Sequence, residues 1–228
     1  MKRLRLGMVG GGQGAFIGGV HRFAARLDGR WDLVAGALSS DPARASASAV
    51  DLGLDPARSH TDFATMAQAE AAREDGIDAV AIVTPNHVHA APAIAFLDAG
   101  IHVICDKPLA GTEEDAQAIA AAVHRSGKHF ILTHNYTGYP LIRQARALIA
   151  SGKLGAIRIV QVEYAQDWLT EPSDGKQAAW RADPQRSGRG GAIGDIGACL
   201  QPGEFRDWPD AQPSCSRPLG IRAWPACR

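Results

Sequence analysis

Three glycines open the chain's chemistry. Gly10, Gly12 and Gly14 lie in "VGGGQGAFIG", between a short apolar run and a segment with helical spacing. In that context the first glycine permits a tight turn and the second lets backbone N–H groups approach a pyrophosphate. Gly14 or Ala15 then lets the helix pack closely on a sheet. No Gly-Lys-Ser/Thr follows, which disfavours a nucleotide-triphosphate loop. Further along, "TPNHVH" (84–89), "CDKP" (105–108) and "THNY" (133–136) each place polar or charged residues after an apolar run. A carboxylate, Asp195, stands among glycines in "GGAIGDIG".

The elements that must carry these residues alternate. Apolar runs at 5–10, 32–39, 78–84, 101–105 and 129–133 read as strands. Between them run helical segments at 19–27, from Asp41 and Pro42 to Gly53, from Thr61 or Asp62 to Arg73, at 87–99, and from "TEED" (112–115) to about Ser126. Such alternation predicts parallel βαβ units, an α/β fold with a doubly wound sheet. The polar motifs then fall at carboxyl ends of parallel strands, where open sheets of this kind bind ligands. One more helix is expected at Pro140–Ser151. After it, "AIRIVQVEYAQD" (156–167) changes to a period of two and predicts a second domain with a half-exposed sheet.

At the end of the second strand, dinucleotide sites place an acid against the ribose diol. Here Ser39 and Ser40 occupy that place, and Asp41 reads as a helix cap. Small hydroxyls can accept a 2′-phosphate, with Arg44 a turn further on, so both NAD and NADP remain open.

Composition narrows the partners. Lys plus Arg equals Asp plus Glu at 24 each, so no basic field points to nucleic acid or an anionic membrane. No apolar run reaches the roughly 18 residues of a membrane span, and the N-terminus lacks the core of a secretory signal. Cys105, Cys199, Cys215 and Cys227 match no zinc or disulfide spacing, which predicts a reduced, cytoplasmic protein. His87, His89, His102 and His134 belong to different elements, so no metal is expected.

Taken in order, the glycine loop, "TPNHVH", "CDKP", "THNY" and "GGAIGDIG" resemble the Gfo/Idh/MocA family of NAD(P)-dependent oxidoreductases, which act on sugars, inositols and related polyols. The resemblance runs from residue 4 to about 197. It implies a Rossmann domain followed by an α/β substrate domain that often forms the oligomer interface, with a small sugar or polyol as substrate. Thr84, Pro85, Asn86 and His89 match the family's segment beside the cofactor. Asp106, Lys107 and Pro108 match its Glu-Lys-Pro motif with aspartate for glutamate, and Asn135 matches the position after the last Rossmann strand. Trp180 and Arg181 match a pair that reaches the cofactor in several relatives, and Asp195 matches the aspartate of Asp-Ile-Gly-x-His. Lys107 and Asp195 are thereby the implied catalytic residues. Oxidising an alcohol needs a base for its proton and a cation for the developing alkoxide, which a lysine can supply.

The resemblance then stops. The family histidine is expected four residues after Asp195, where this chain has Cys199, and five of its thirteen prolines crowd residues 202–228. Back-translating 198–208 and dropping one base yields His-Ala-Tyr-Asn-Leu-Ala-Asn-Ser-Val-Thr-Gly, which restores that histidine. The expectation is a frameshift after about residue 197. It divides the chain into a cofactor domain (1–133), the start of a substrate domain (134–197) and an aberrant, disordered tail (198–228), with impaired turnover. The competing expectation is a non-catalytic dinucleotide-binding module that senses redox state.

Overall fold

A computed structural model of the chain describes residues 3–158. The expected strand at 156–167 falls almost wholly outside these residues, as do Trp180, Arg181, Asp195 and the tail.

Five strands form one parallel sheet: β1 (Leu4–Gly10), β2 (Trp31–Ala37), β3 (Ala79–Val83), β4 (His102–Asp106) and β5 (Phe130–Thr133). Their order is β2-β1-β3-β4-β5, so the chain winds outward in one direction from β1 and in the other from β3. This is the doubly wound arrangement that the alternation predicts, and its switch point lies between β1 and β3. β3 is buried at every position, as suits an unbroken Ala-Val-Ala-Ile-Val run in the middle of a sheet.

Helices α1 (Phe16–Arg26), α2 (Pro42–Asp51), α3 (Phe63–Ala71), α4 (Ala90–Asp98), α5 (Glu113–Ser126) and α6 (Pro140–Ala150) connect or follow the strands. Three starts are set by side-chain caps. Asp41 accepts from the Arg44 N–H at 2.7 Å, Asp62 from the Thr65 N–H at 2.7 Å, and Thr112 from the Asp115 N–H at 3.1 Å. Each satisfies an amide that the helix itself cannot reach. The single helix expected at 87–99 is divided: a 3-10 turn over Asn86–Val88 precedes α4.

Each sheet face has its own core. Val9, Ile82, Val103 and Cys105 pack with Met66 of α3, Phe96 and Leu97 of α4 and Ile119 of α5. On the other face Leu6, Met8 and Ala81 meet Ala49 of α2 and Ile17 of α1. That second core stops short of β5, where Ile131, the register partner of Ile104, is 55% exposed. Phe16, Val20 and Phe23 of α1, and Leu27 just beyond it, are also exposed. At the edge of the first core, a buried ion pair joins Arg58 to Glu70. Arg58 Nε donates to Glu70 Oε1 at 3.0 Å, and the Ile77 N–H donates to Glu70 Oε2 at 3.1 Å.

Candidate functional site

The glycine loop leaves β1 in a conformation that only glycine adopts freely. Gly10, Gly11 and Gly14 have φ of 80°, 75° and 76°. Gly12 is required by space instead, since a Cβ there would lie 2.7 Å from the Leu38 carbonyl oxygen and 2.7 Å from Ser48 Oγ. The close approach of helix to loop, expected of Gly14 or Ala15, falls to Gly18. A Cβ on Gly18 would stand 2.5 Å from Gly11 Cα, whereas one on Gly14 meets nothing within 4 Å. Ala15 is the N-cap of α1 in extended geometry.

Two side chains lock this loop. Arg22 Nη1 donates to the Gly11 carbonyl at 2.8 Å, and burial together with Arg26 lowers the Arg22 pKa. Ser48 Oγ accepts from the Gln13 N–H at 2.9 Å and donates to the Arg44 carbonyl at 2.7 Å. Unlike α2, α3 and α5, helix α1 has no side-chain cap, and unlike α5 it has no acid in its first turn. α1 opens two residues after Gly14, where a Cβ would meet nothing within 4 Å. An uncapped helix N-terminus beside open space suits the pyrophosphate of a dinucleotide.

Ser39, Ser40 and Arg44 lie together after β2. Ser39 Oγ accepts from the Asp41 N–H at 3.2 Å, and Ser40 and Arg44 are exposed. The Asp41 carboxylate is committed to its helix, as the sequence indicates.

Across the switch point, Val83 is the register partner of Gly10, and Thr84 Cγ2 would lie 3.1 Å from a Cβ on Gly10. Thr84 therefore borders the glycine loop directly, and Pro85 and Asn86 follow it in the turn. His89 does not face it in the same way. It is wholly buried, with Nδ1 2.8 Å from the Pro108 carbonyl oxygen and Nε2 2.9 Å from that of Thr84. Its ring ties the 84–89 turn to the turn that carries Lys107.

Asp106 likewise works inside the protein. Its Oδ1 lies 3.3 Å from His21 Nε2 and accepts from Thr133 Oγ1 at 2.9 Å. Burial alone would raise its pKa. The hydrogen bonds from His21 and Thr133, with the charges of His21 and Lys107, outweigh burial and lower it. Lys107 follows, joined to Pro108 by a cis peptide, and its charge also reaches His134 at the end of β5. Asn135 is exposed just beyond.

Sequence reasoning missed Gly11, Gly18, His21, Arg22 and Ser48, whose roles depend on contacts between separate segments. The "GG" at 18–19 inside a helical segment was the available signal, because glycine within a helix calls for a packing reason. Among the described residues no three His, Cys, Asp or Glu gather as metal ligands, and no helix is long and apolar enough to cross a membrane.

The fold and the loop have clear relatives. The model of the "Oxidoreductase family, NAD-binding Rossmann fold" matches residues 4–145, and that of the "GFO/IDH/MocA C-terminal domain" matches 142–198. The chain is 38% identical over 199 residues to an uncharacterised oxidoreductase of Bacillus subtilis, covering 86% of this chain and 51% of that one. It is 32% identical over 203 residues to a levoglucosan dehydrogenase of Pseudarthrobacter phenanthrenivorans, covering 86% and 49%. A solved inositol dehydrogenase homologue from Azotobacter vinelandii, in complex with NAD+, superposes with a TM-score of 0.83 at 41% identity. That match covers 89% of this chain and 53% of the other. The chain thus spans about half the length of the curated relatives it matches. With family matches that cover the glycine loop, the Lys107 turn and Asp195 alike, the chain belongs to the Gfo/Idh/MocA family of oxidoreductases, whose Rossmann fold binds NAD.

Proposed function

We propose that this chain is built to transfer a hydride between NAD(P) and a hydroxyl or carbonyl group of a sugar, inositol or related polyol. The observation that carries the reading is the convergence at the sheet's carboxyl edge. The glycine loop, Thr84–Asn86 and the Lys107 turn meet there, held by His89 and by the His21–Asp106–Thr133 bonds. A bound nicotinamide supplies the hydride chemistry. Gly10, Gly12, Gly14 and the amides that open α1 hold the pyrophosphate, and Ser39, Ser40 and Arg44 face the adenosine ribose. Thr84, Pro85, Asn86 and Asn135 border the nicotinamide side. Lys107 donates a hydrogen bond to the reacting oxygen and stabilises its negative charge, and Asp195 assists proton transfer. Trp180 and Arg181 complete the cofactor contacts by family resemblance. In this reading residues 1–133 form the cofactor domain and 134–197 belong to a substrate domain.

Cys199 stands where the family resemblance implies a histidine, so turnover is expected to be weak while dinucleotide binding persists. That same cysteine favours the second reading, a dinucleotide-binding module that senses redox state. Titrating NADH and NADPH by fluorescence, then assaying polyol-dependent NAD(P) reduction, tests both. An enzyme loses its turnover about 10²–10⁴-fold in Lys107→Ala yet still binds NADH. A sensor keeps its response without the lysine. Absence of nicotinamide binding by the wild type would overturn both.

A further inference from the structure

His134 follows β5 beside Lys107. Asp106 and Thr133 are register partners joined by a 2.9 Å hydrogen bond, so the next residues, Lys107 and His134, leave the two strands side by side. Neighbouring strands are about 4.8 Å apart, and the Lys107 charge bears on the imidazole. The backbone of His134 is fully engaged. Its N–H donates to the Leu132 carbonyl at 3.0 Å, and its carbonyl accepts from Thr137 through both the N–H (3.1 Å) and Oγ1 (2.7 Å). Its ring is not. Nδ1 is buried and meets no hydrogen-bond partner among the described residues. Buried polar atoms without partners are rare, and each calls for an account.

Burial, and then the Lys107 charge, lower the His134 pKa, which keeps the ring neutral with a nitrogen free to accept. We propose that His134 is a positioning residue for Lys107: with ligand bound, its Nδ1 accepts a hydrogen bond from the Lys107 ammonium and fixes the direction in which that group meets the reacting oxygen. The identity of that oxygen rests on the hydride-transfer reading, whereas the pairing of His134 with Lys107 does not. The geometry requires the Nε2–H tautomer, because an Nδ1–H cannot accept.

Two measurements test it. In the full chain labelled with ¹⁵N-histidine, NMR with NADH and myo-inositol added should show the Nε2–H tautomer. The His134 titration should move up towards the ordinary histidine range in Lys107→Met. An Nδ1–H tautomer, or a titration indifferent to Lys107→Met, would overturn the proposal. The second measurement compares side chains during polyol-dependent NAD(P) reduction. His134→Asn keeps an acceptor at the δ position, His134→Gln moves it one bond further out, and His134→Leu removes it. Expected are kcat losses of about 10–100-fold for Gln and Leu, near-wild-type kcat for Asn, and unchanged NADH affinity in all three. Equal loss in Asn and Leu would mean that His134 only fills space. If the wild type binds no dinucleotide, the oxidoreductase reading fails; if it binds NADH and His134 shows the Nδ1–H tautomer, only the pairing fails.

Discussion

Adding one methyl group at Gly18 should separate α1 from the dinucleotide loop. The new Cβ would lie 2.5 Å from Gly11 Cα and 2.9 Å from the Gly11 carbonyl oxygen, both backbone atoms. Carbon pairs rest at about 3.5–4.0 Å, so helix and loop must part by roughly 1 Å. Overpacking of this kind costs about 1–3 kcal/mol. Alanine also favours a helix over glycine by up to about 1 kcal/mol, which obscures the effect in a single variant. Gly19 provides the control, because a Cβ there approaches nothing nearer than Arg22 Nη2 at 3.9 Å. The helix gain is shared by the two variants and cancels, so their stabilities should differ by the overpacking cost alone. With a urea m-value of about 2 kcal/mol per molar, Gly18→Ala should unfold roughly 0.5–1.5 M earlier than Gly19→Ala. It should also bind NADH more weakly, while Gly19→Ala binds as wild type does. Equal urea midpoints, or a more stable Gly18→Ala, would refute the close-approach argument.

Replacing Glu70 by Gln leaves Arg58 charged and buried without the carboxylate it pairs with, and weakens the bond that residue 70 accepts from the Ile77 N–H. The expected loss is about 3–5 kcal/mol, read from urea unfolding. Histidine ionisation gives the stability a pH slope. Burial, aided by the charges on His129 and Lys128, lowers the His102 pKa. For His60 burial and the Arg58 charge do the same against the opposing pull of Glu70 and Asp62. The unfolded chain then binds protons more readily, so this stability is complete above about pH 6.5 and is lost as pH falls through the folded-state values. His102 Nδ1 accepts from the His129 N–H at 3.0 Å, and His102→Asn keeps an acceptor that does not titrate. Urea midpoints at pH 7.5 and 5.5 should therefore differ less in that variant than in wild type. Ser39→Asp places a carboxylate after β2, which should weaken NADPH binding more than NADH binding in fluorescence titrations.

Local chemistry made much of the framework legible. Asp41, Asp62 and Thr112 announce helix starts because a cap bonds an amide only three residues away. The apolar run of β3 marks a central strand because nothing polar interrupts it. Roles that join distant segments were hidden. His21 and Asp106 are 85 residues apart, and the position of Asp106 on a strand end says nothing of what packs beneath it. His89 was matched to the cofactor segment by resemblance alone, and nothing local signalled that its two ring nitrogens lie against carbonyls 5 and 19 residues away. The break before α4 escaped notice because "NHVHAAPA" keeps a helical apolar pattern through the 3-10 turn.

Adjacent residues on one helix hold two different loops. His21 reaches Asp106, beside Lys107, and Arg22 holds the Gly11 carbonyl. Amides of the glycine loop and of the Lys107 turn should therefore exchange with solvent in one cooperative opening instead of two, and slow together when NADH binds. His21→Ala would divide that event, leaving the glycine loop protected while the Lys107 turn exchanges early. Through α1, occupancy at one end of the crevice would set the local stability of the other.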